Sequence, residues 1–285
     1  MTTTAVRSGY VVNDGNPLNY LEWGPADADP IFFLAPVRHP AYIWRGVAEL
    51  LAGRHHVFAV NLRGHGDSGP FPERVYDPDG YVDDLNTFAT ELNLPPVTII
   101  AFSVVMSGAS VGFAAAHPDR ARGLVLLDGG MGYTAEQAEE ASTRLGSTQA
   151  IFNDWDAALA YYATMPDQRF ASDALRRERA PYVFRRLEDG TVTWKHDELF
   201  RRLWPGEDWK RNTGWQPPET WANVRCPILV VKAASEHITV ESCEEIIKYG
   251  RDSRWLEVPD VTSHFVHDEN PQAFLNVVRP FIEEL

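Results

Sequence analysis

Short apolar runs alternate with longer stretches of helical periodicity along most of the chain. Residues 31–34, 57–60, 97–102 and 123–127 are apolar at nearly every position, the pattern of strands covered on both faces in a parallel sheet. Between them, 42–51, 79–92 and 107–116 repeat apolar residues at helical spacing, the last stopped by His117-Pro118. Strand and helix in regular alternation predict an α/β architecture with a mostly parallel central sheet flanked by helices.

The alternation breaks after Asp128-Gly129-Gly130. From about 131 to 220 the sequence turns more polar, with helices expected at 135–145 and 155–163. An Arg-rich piece follows, then an exit through Trp204-Pro205-Gly206 and Trp215-Gln216-Pro217-Pro218. The sheet pattern resumes with a strand at 227–231, a helix at 240–249, a strand at 254–258 and a terminal helix at 271–284. The expected organisation is a core over 1–130, an inserted helical lid over 131–220 and the rest of the core over 221–285. Lid aromatics (Trp155, Tyr161, Tyr162, Trp194, Trp204, Trp209, Trp215) suit packing of a small subdomain or the wall of an apolar pocket. The arginines Arg176, Arg177, Arg179, Arg185, Arg186, Arg201 and Arg202 read as a solvated helix face more readily than as an anion clamp.

Charge then narrows the function classes. The 285 residues carry 26 Lys and Arg against 40 Asp and Glu, a formal charge of −14, which opposes binding to nucleic acid or to anionic membranes. Cys226 and Cys243 lack the spacing of a metal or redox site and read as buried thiols. The first residues show no signal-peptide pattern and no run approaches the roughly 18 apolar residues of a spanning helix. A soluble cytoplasmic protein acting on a small molecule, without cofactor, is expected. The sequence leaves oligomeric state open.

The chemistry collects at strand ends. Ser103 follows the strand at 97–102 and precedes a helix, a position that raises a hydroxyl above the sheet edge beside backbone N–H groups. His264 follows the last strand, and Glu236 follows the strand at 227–231. Their order is nucleophile, acid, base, each at the sheet edge where open α/β sheets place their sites. Asp128, after 124–127, is a second carboxylate at that edge, ranked behind Glu236 as the partner of His264. Of the other histidines, His65 and His267 belong to fold-typical turns, while His55, His56, His117, His196 and His237 show no metal-ligand spacing.

At these residues the chain resembles the α/β-hydrolase fold family over nearly its whole length. Leu62-Arg63-Gly64-His65-Gly66-Asp67-Ser68 is similar to its RGxGxS turn, His117-Pro118-Asp119-Arg120 to the end of the helix behind the nucleophile, and Ser263-His264-Phe265 with Glu269-Asn270-Pro271 to its histidine loop. The resemblance implies Ser103 as nucleophile, His264 as general base and the N–H groups of Val37 and Val104 as oxyanion hole. It implies a hydrolase of a small, largely apolar ester, lactone or related carbonyl compound.

Two motifs depart from that family. Ala101-Phe102-Ser103-Val104-Val105 stands where G-x-S-x-G is usual; a valine at the last position predicts a shifted or bulged helix start, with Ser107-Gly108 providing the close contact. Ala35-Pro36 replaces the usual His-Gly pair, leaving Val37 as the donor. Asp128, Glu236, Asn61 and His39 also make the chain similar to cofactor-independent dioxygenases of the same fold, in which a His/Asp dyad deprotonates a heteroaromatic substrate. A ligand-binding protein of this fold with little turnover is a third reading.

Overall fold

Alternate residues of the apolar runs go to opposite faces of one sheet. The computed structural model describes residues 6–71, 76–130, 135–201, 216–233, 238–250 and 252–285. Its sheet strands are β1 (Arg7–Asn13), β2 (Asn16–Trp23), β3 (Pro30–Leu34), β4 (His56–Val60), β5 (Val97–Phe102), β6 (Ala121–Leu127), β10 (Ile228–Lys232) and β11 (Ser253–Glu257), numbered so as to leave β7 to β9 for the lid. They lie in the order β1-β2-β4-β3-β5-β6-β10-β11. From β4 through β11 every pairing is parallel; β1 and β2 add antiparallel strands at one edge.

The core helices are α1 (Arg45–Leu51), α2 (Pro78–Glu91), α3 (Val104–Ala116), α7 (Pro218–Asn223), α8 (Val240–Ile246), α9 (Val266–Glu269) and α10 (Pro271–Glu284). On one face Phe32, Ile99, Leu124 and Val230 pack under Phe88 of α2, Phe113 of α3 and Trp221 of α7. On the other, Phe33, Ile100, Val125 and Leu229 pack under Val47 of α1 and Phe274 and Val278 of α10. The strands look uniformly apolar in sequence because both faces are covered by helices. Helix starts follow local capping chemistry: the Asp77 and Asn270 side chains accept from the N–H groups of Gly80 and Ala273, each ahead of a proline that needs no donor partner.

Most predicted core elements agree with the observed ones to within a few residues. The hairpin of β1 and β2 was not expected; its signal is the two-residue turn Asp14-Gly15, with φ of 46° and 81°, the left-handed pair that a tight hairpin requires. The lid is also less uniformly helical than its sequence suggests. Besides α4 (Ala135–Gly146), α5 (Trp155–Ala163) and α6 (Asp173–Val183) it holds a small antiparallel sheet of β7 (Ile151–Phe152), β8 (Phe184–Arg186) and β9 (Val192–Trp194). Strands of two or three residues are too short to show a period of two. Phe152, Tyr162, Phe184 and Trp194 form the lid's own small core, so these aromatics pack against one another; Trp204, Trp209 and Trp215 lie outside the described residues.

One buried ion pair joins the turn after β4 to the core. Asp84 of α2 is fully buried and accepts from the Arg63 backbone N–H at 2.8 Å, from Arg63 Nη2 at 2.8 Å and from Asn13 Nδ2 at 3.0 Å. Removing one partner of such a pair strands the other charge in low dielectric. Asp84→Ala is expected to cost about 3–5 kcal/mol of folding stability by this argument; urea denaturation showing a loss under 1 kcal/mol would contradict it.

Candidate active site

The site residues stand at the carboxyl ends of β3, β5, β6 and in the loop before α9. Ser103 lies between β5 and α3 with φ 74° and ψ 167°, a left-handed backbone that is uncommon for a residue with a Cβ and is concentrated at functional turns. Its N–H donates to Leu127 O at 2.8 Å and its carbonyl accepts from Ser107 N–H at 3.0 Å. Helix α3 therefore starts directly at Val104, without the shift or bulge expected from the valines. Val105 is instead absorbed into the core beside Met106 and Ala109.

The close approach that the usual glycines permit is supplied from the neighbouring strand. A Cβ on Gly129 would stand 3.2 Å from Ser103 O and overlap the Ser107 hydroxyl and Cβ. Ser107 does make the tight contact, and Gly129 is the residue that lets it. This signal was present in the sequence as the pair Gly129-Gly130.

His264 is bonded to Asp128: Nδ1 and Oδ2 are 2.5 Å apart. Asp128 is fully buried, and its Oδ1 accepts from Ala233 N–H at 2.9 Å. A carboxylate facing Nδ1 holds the proton there and leaves Nε2 as the basic nitrogen. The carboxylate brought to His264 in the described structure is thus the one ranked second in the sequence; Glu236, ranked first, lies outside the described residues. The imidazole packs on Phe102, the residue preceding Ser103, with ring centroids 4.4 Å apart. The contact between a nucleophilic hydroxyl and its imidazole commonly tightens only when substrate binds.

After β3 the chain turns sharply. His39 N–H donates to Pro36 O at 3.0 Å and Arg38 has φ 76°, the geometry of a type II turn with Arg38 where glycine is usual. Val37 N–H stands in this turn and Val104 N–H at the first position of α3, where no earlier carbonyl is available. Neither has a partner among the described residues. Arg38 reaches back to the lid, donating to Thr148 Oγ1 at 2.9 Å and His196 Nε2 at 3.3 Å. Asn61 holds the next segment, accepting from Ala41 N–H at 2.8 Å.

Neutral imidazoles surround the site. His39 lies 3.8 Å from Asp167 of the lid, and burial lowers its pKa in spite of that carboxylate. Together with Ala35, Val60, Leu62, His65 and Met106 it lines a narrow crevice. Burial drives His65 and His267 down to about 4. Among the described residues no cluster of His, Cys, Asp or Glu could hold a metal ion, and no helix is long and apolar enough to cross a membrane.

Residues 31–277 match the model of the Alpha/beta hydrolase family. The chain belongs to that family. Among its relatives, an esterase of Mycobacterium tuberculosis is 22% identical over 93% of this chain and 86% of its own. A 2-(acetamidomethylene)succinate hydrolase of Mesorhizobium japonicum is 25% identical over 82% of this chain and 80% of its own. The crystal structure of an E-2-(acetamidomethylene)succinate hydrolase superposes with a TM-score of 0.83 at 22% identity, covering 98% of this chain and all of that one. In this chain two valines follow Ser103, and Gly129, just past β6, stands against Ser107.

Two outcomes follow from this geometry. Gly129→Ala is expected to lower the melting temperature by several degrees, since backbone and Ser107 must both move; an unchanged melt would show that the elbow tolerates a methyl there. For the histidines, the unfolded chain takes up protons near 6.5 and the folded one only near 4. Stability is therefore expected to be level above pH 6.5 and to fall as pH drops from 6.5 towards 4. Thermal melts across that range would check it, with His267→Phe giving a shallower slope than the parent chain.

Proposed function

We propose that this alpha/beta hydrolase cleaves a small, largely apolar ester, lactone or related carbonyl compound through an acyl-enzyme on Ser103. The observation that carries the reading is the imidazole of His264, oriented by the buried Asp128 and packed at a tilt against the residue preceding Ser103. The names of the esterase and succinate hydrolase relatives agree with hydrolysis of a carbonyl compound.

In this mechanism His264 Nε2 takes the Ser103 hydroxyl proton as Oγ attacks the carbonyl carbon. The negative charge that forms on the carbonyl oxygen is met by the N–H groups of Val37 and Val104, the latter at the positive end of α3. The tetrahedral species collapses as His264 returns the proton to the leaving alkoxide, and the acyl group stays on Oγ. Water then repeats the sequence: His264 removes its proton, hydroxide adds to the acyl carbon, and Oγ leaves with the proton. Asp128 holds the imidazole in the required tautomer and offsets the imidazolium charge in both halves.

The pairing of His264 with Asp128 also favours a second reading. A His/Asp dyad at this position is what deprotonation of a hydroxylated heteroaromatic compound, followed by its direct reaction with O₂, would use. The two separate on one residue. For the hydrolase, Ser103→Ala is expected to abolish labelling by a fluorophosphonate and to reduce ester turnover at least 10³-fold, and Asp128→Asn to reduce it about 10³–10⁴-fold. Oxygen uptake with a hydroxylated heteroaromatic that survives Ser103→Ala but not His264→Ala would replace hydrolysis with oxygenation. Absence of a fluorophosphonate adduct on Ser103 would remove the acyl-enzyme.

A further inference from the structure

One arginine of the lid departs from the solvated face expected for the group. Arg179 on α6 is 3% exposed, and its guanidinium makes a two-pronged contact with Asp268 on α9: Nη1 to Oδ2 and Nη2 to Oδ1, each 2.5 Å. Nη2 also reaches Ile43 O at 3.4 Å. Asp268 lies four residues beyond His264, on the short helix that ends the histidine loop, and Ile43 lies in the 3₁₀ turn Ala41–Trp44 that follows the Pro36–His39 turn. A single lid side chain therefore grips the segments carrying the base and the oxyanion donor.

The chemistry of the pair argues for more than anchorage. Two charges withdrawn from water cost several kcal/mol of desolvation each, and well-packed apolar residues commonly hold two elements together as well or better. What an apolar contact cannot supply is direction. A planar guanidinium meeting both oxygens of a carboxylate fixes distance and rotation together. Other polar groups stand close by, but none meets either partner with two prongs: His267 Nε2 lies 3.8 Å from Asp268 Oδ1, Asp167 acts on the guanidinium electrostatically, and Trp44 and Phe265 pack around the His267 ring.

We propose that Arg179 is a positioning residue that, through Asp268, sets His264 relative to the Val37 turn. This rests on the reading of His264 as the catalytic base, and the test separates the two. Arg179→Lys keeps the charge without the fork, and the double variant Arg179→Met/Asp268→Leu replaces the pair by apolar bulk. Glu178→Gln, on the same helix but directed at Tyr42 and Arg45, is the control. Three quantities are measured: the melting temperature, the fluorophosphonate labelling rate of Ser103, and the low-field ¹H resonance of His264 Nδ1–H, assigned by its loss in His264→Asn.

The double variant is expected to melt at or above the wild-type temperature while labelling slows about 10–100-fold and the resonance shifts or broadens. KM for a small ester should change little, and the loss should fall on kcat. Arg179→Lys is expected to lie between, and Glu178→Gln to match the wild type. A double variant that retains both the resonance and the labelling rate would overturn the proposal and leave the pair as a structural plug. Should the double variant fail to fold, Arg179→Lys decides by the same two readouts. A wild-type chain that is never labelled defeats the hydrolase reading alone, since the resonance still reports on the placement of His264.

Discussion

A carboxylate fully removed from water at the end of β6 is the constraint on which the site depends. Asp128 must be met by donors, because a buried charge without them costs far more than the fold can spare. Two come from different parts of the chain: the N–H of Ala233, just past β10, and the imidazole of His264, more than a hundred residues downstream. Satisfying one side chain thus pins two strand ends and the histidine loop to one point. The parallel register of β6 with β10 makes this feasible, since Leu127 pairs with Val231 and the residues after them emerge together.

The same edge is crowded at Ser103, and the crowding is relieved by a glycine elsewhere along the chain. Ser103, at positive φ, is followed at once by α3, and the first turn of that helix passes close to the chain just beyond β6. With Val104 and Val105 in the first turn of α3, the space is found one strand over, at Gly129, against Ser107. Both valines are buried, and Val105 joins the core cluster, where burial rewards it. The turn at Ser103 is thus accommodated by the absence of a Cβ at Gly129, just beyond β6.

The inserted segment is tied to two of the loops that carry the candidate chemistry, the turn after β3 and the histidine loop. Arg38 joins the turn after β3 to Thr148 and His196, Arg169 donates to Thr262 just before His264, and Asp167 stands by His39. The inserted segment thus has an aromatic core of its own and polar links to the rest of the chain. Several of these links were invisible in the sequence, where Arg38 reads as one polar residue in a loop and Asp167 as one acid among forty.

What the chain declares by itself is local and periodic. Runs such as 97–102 followed by 107–116 announce strand and helix because burial on two faces or on one stripe imposes different spacings. Capped prolines at Pro78 and Pro271 mark helix starts, and Ser103 and His264 stand out by their place at strand ends. Pairwise partnership is another matter. Asp128 and Glu236 both follow strands at one edge and are indistinguishable by spacing; that Asp128 meets His264 depends on strand twist, register and the course of a loop, which only the assembled sheet fixes. Arg179 likewise belongs to an arginine-rich stretch that reads as solvated, and its burial follows from where α6 docks. Periodicity is written in neighbours along the chain, whereas side-chain pairing across a hundred residues is settled by the geometry of the folded whole.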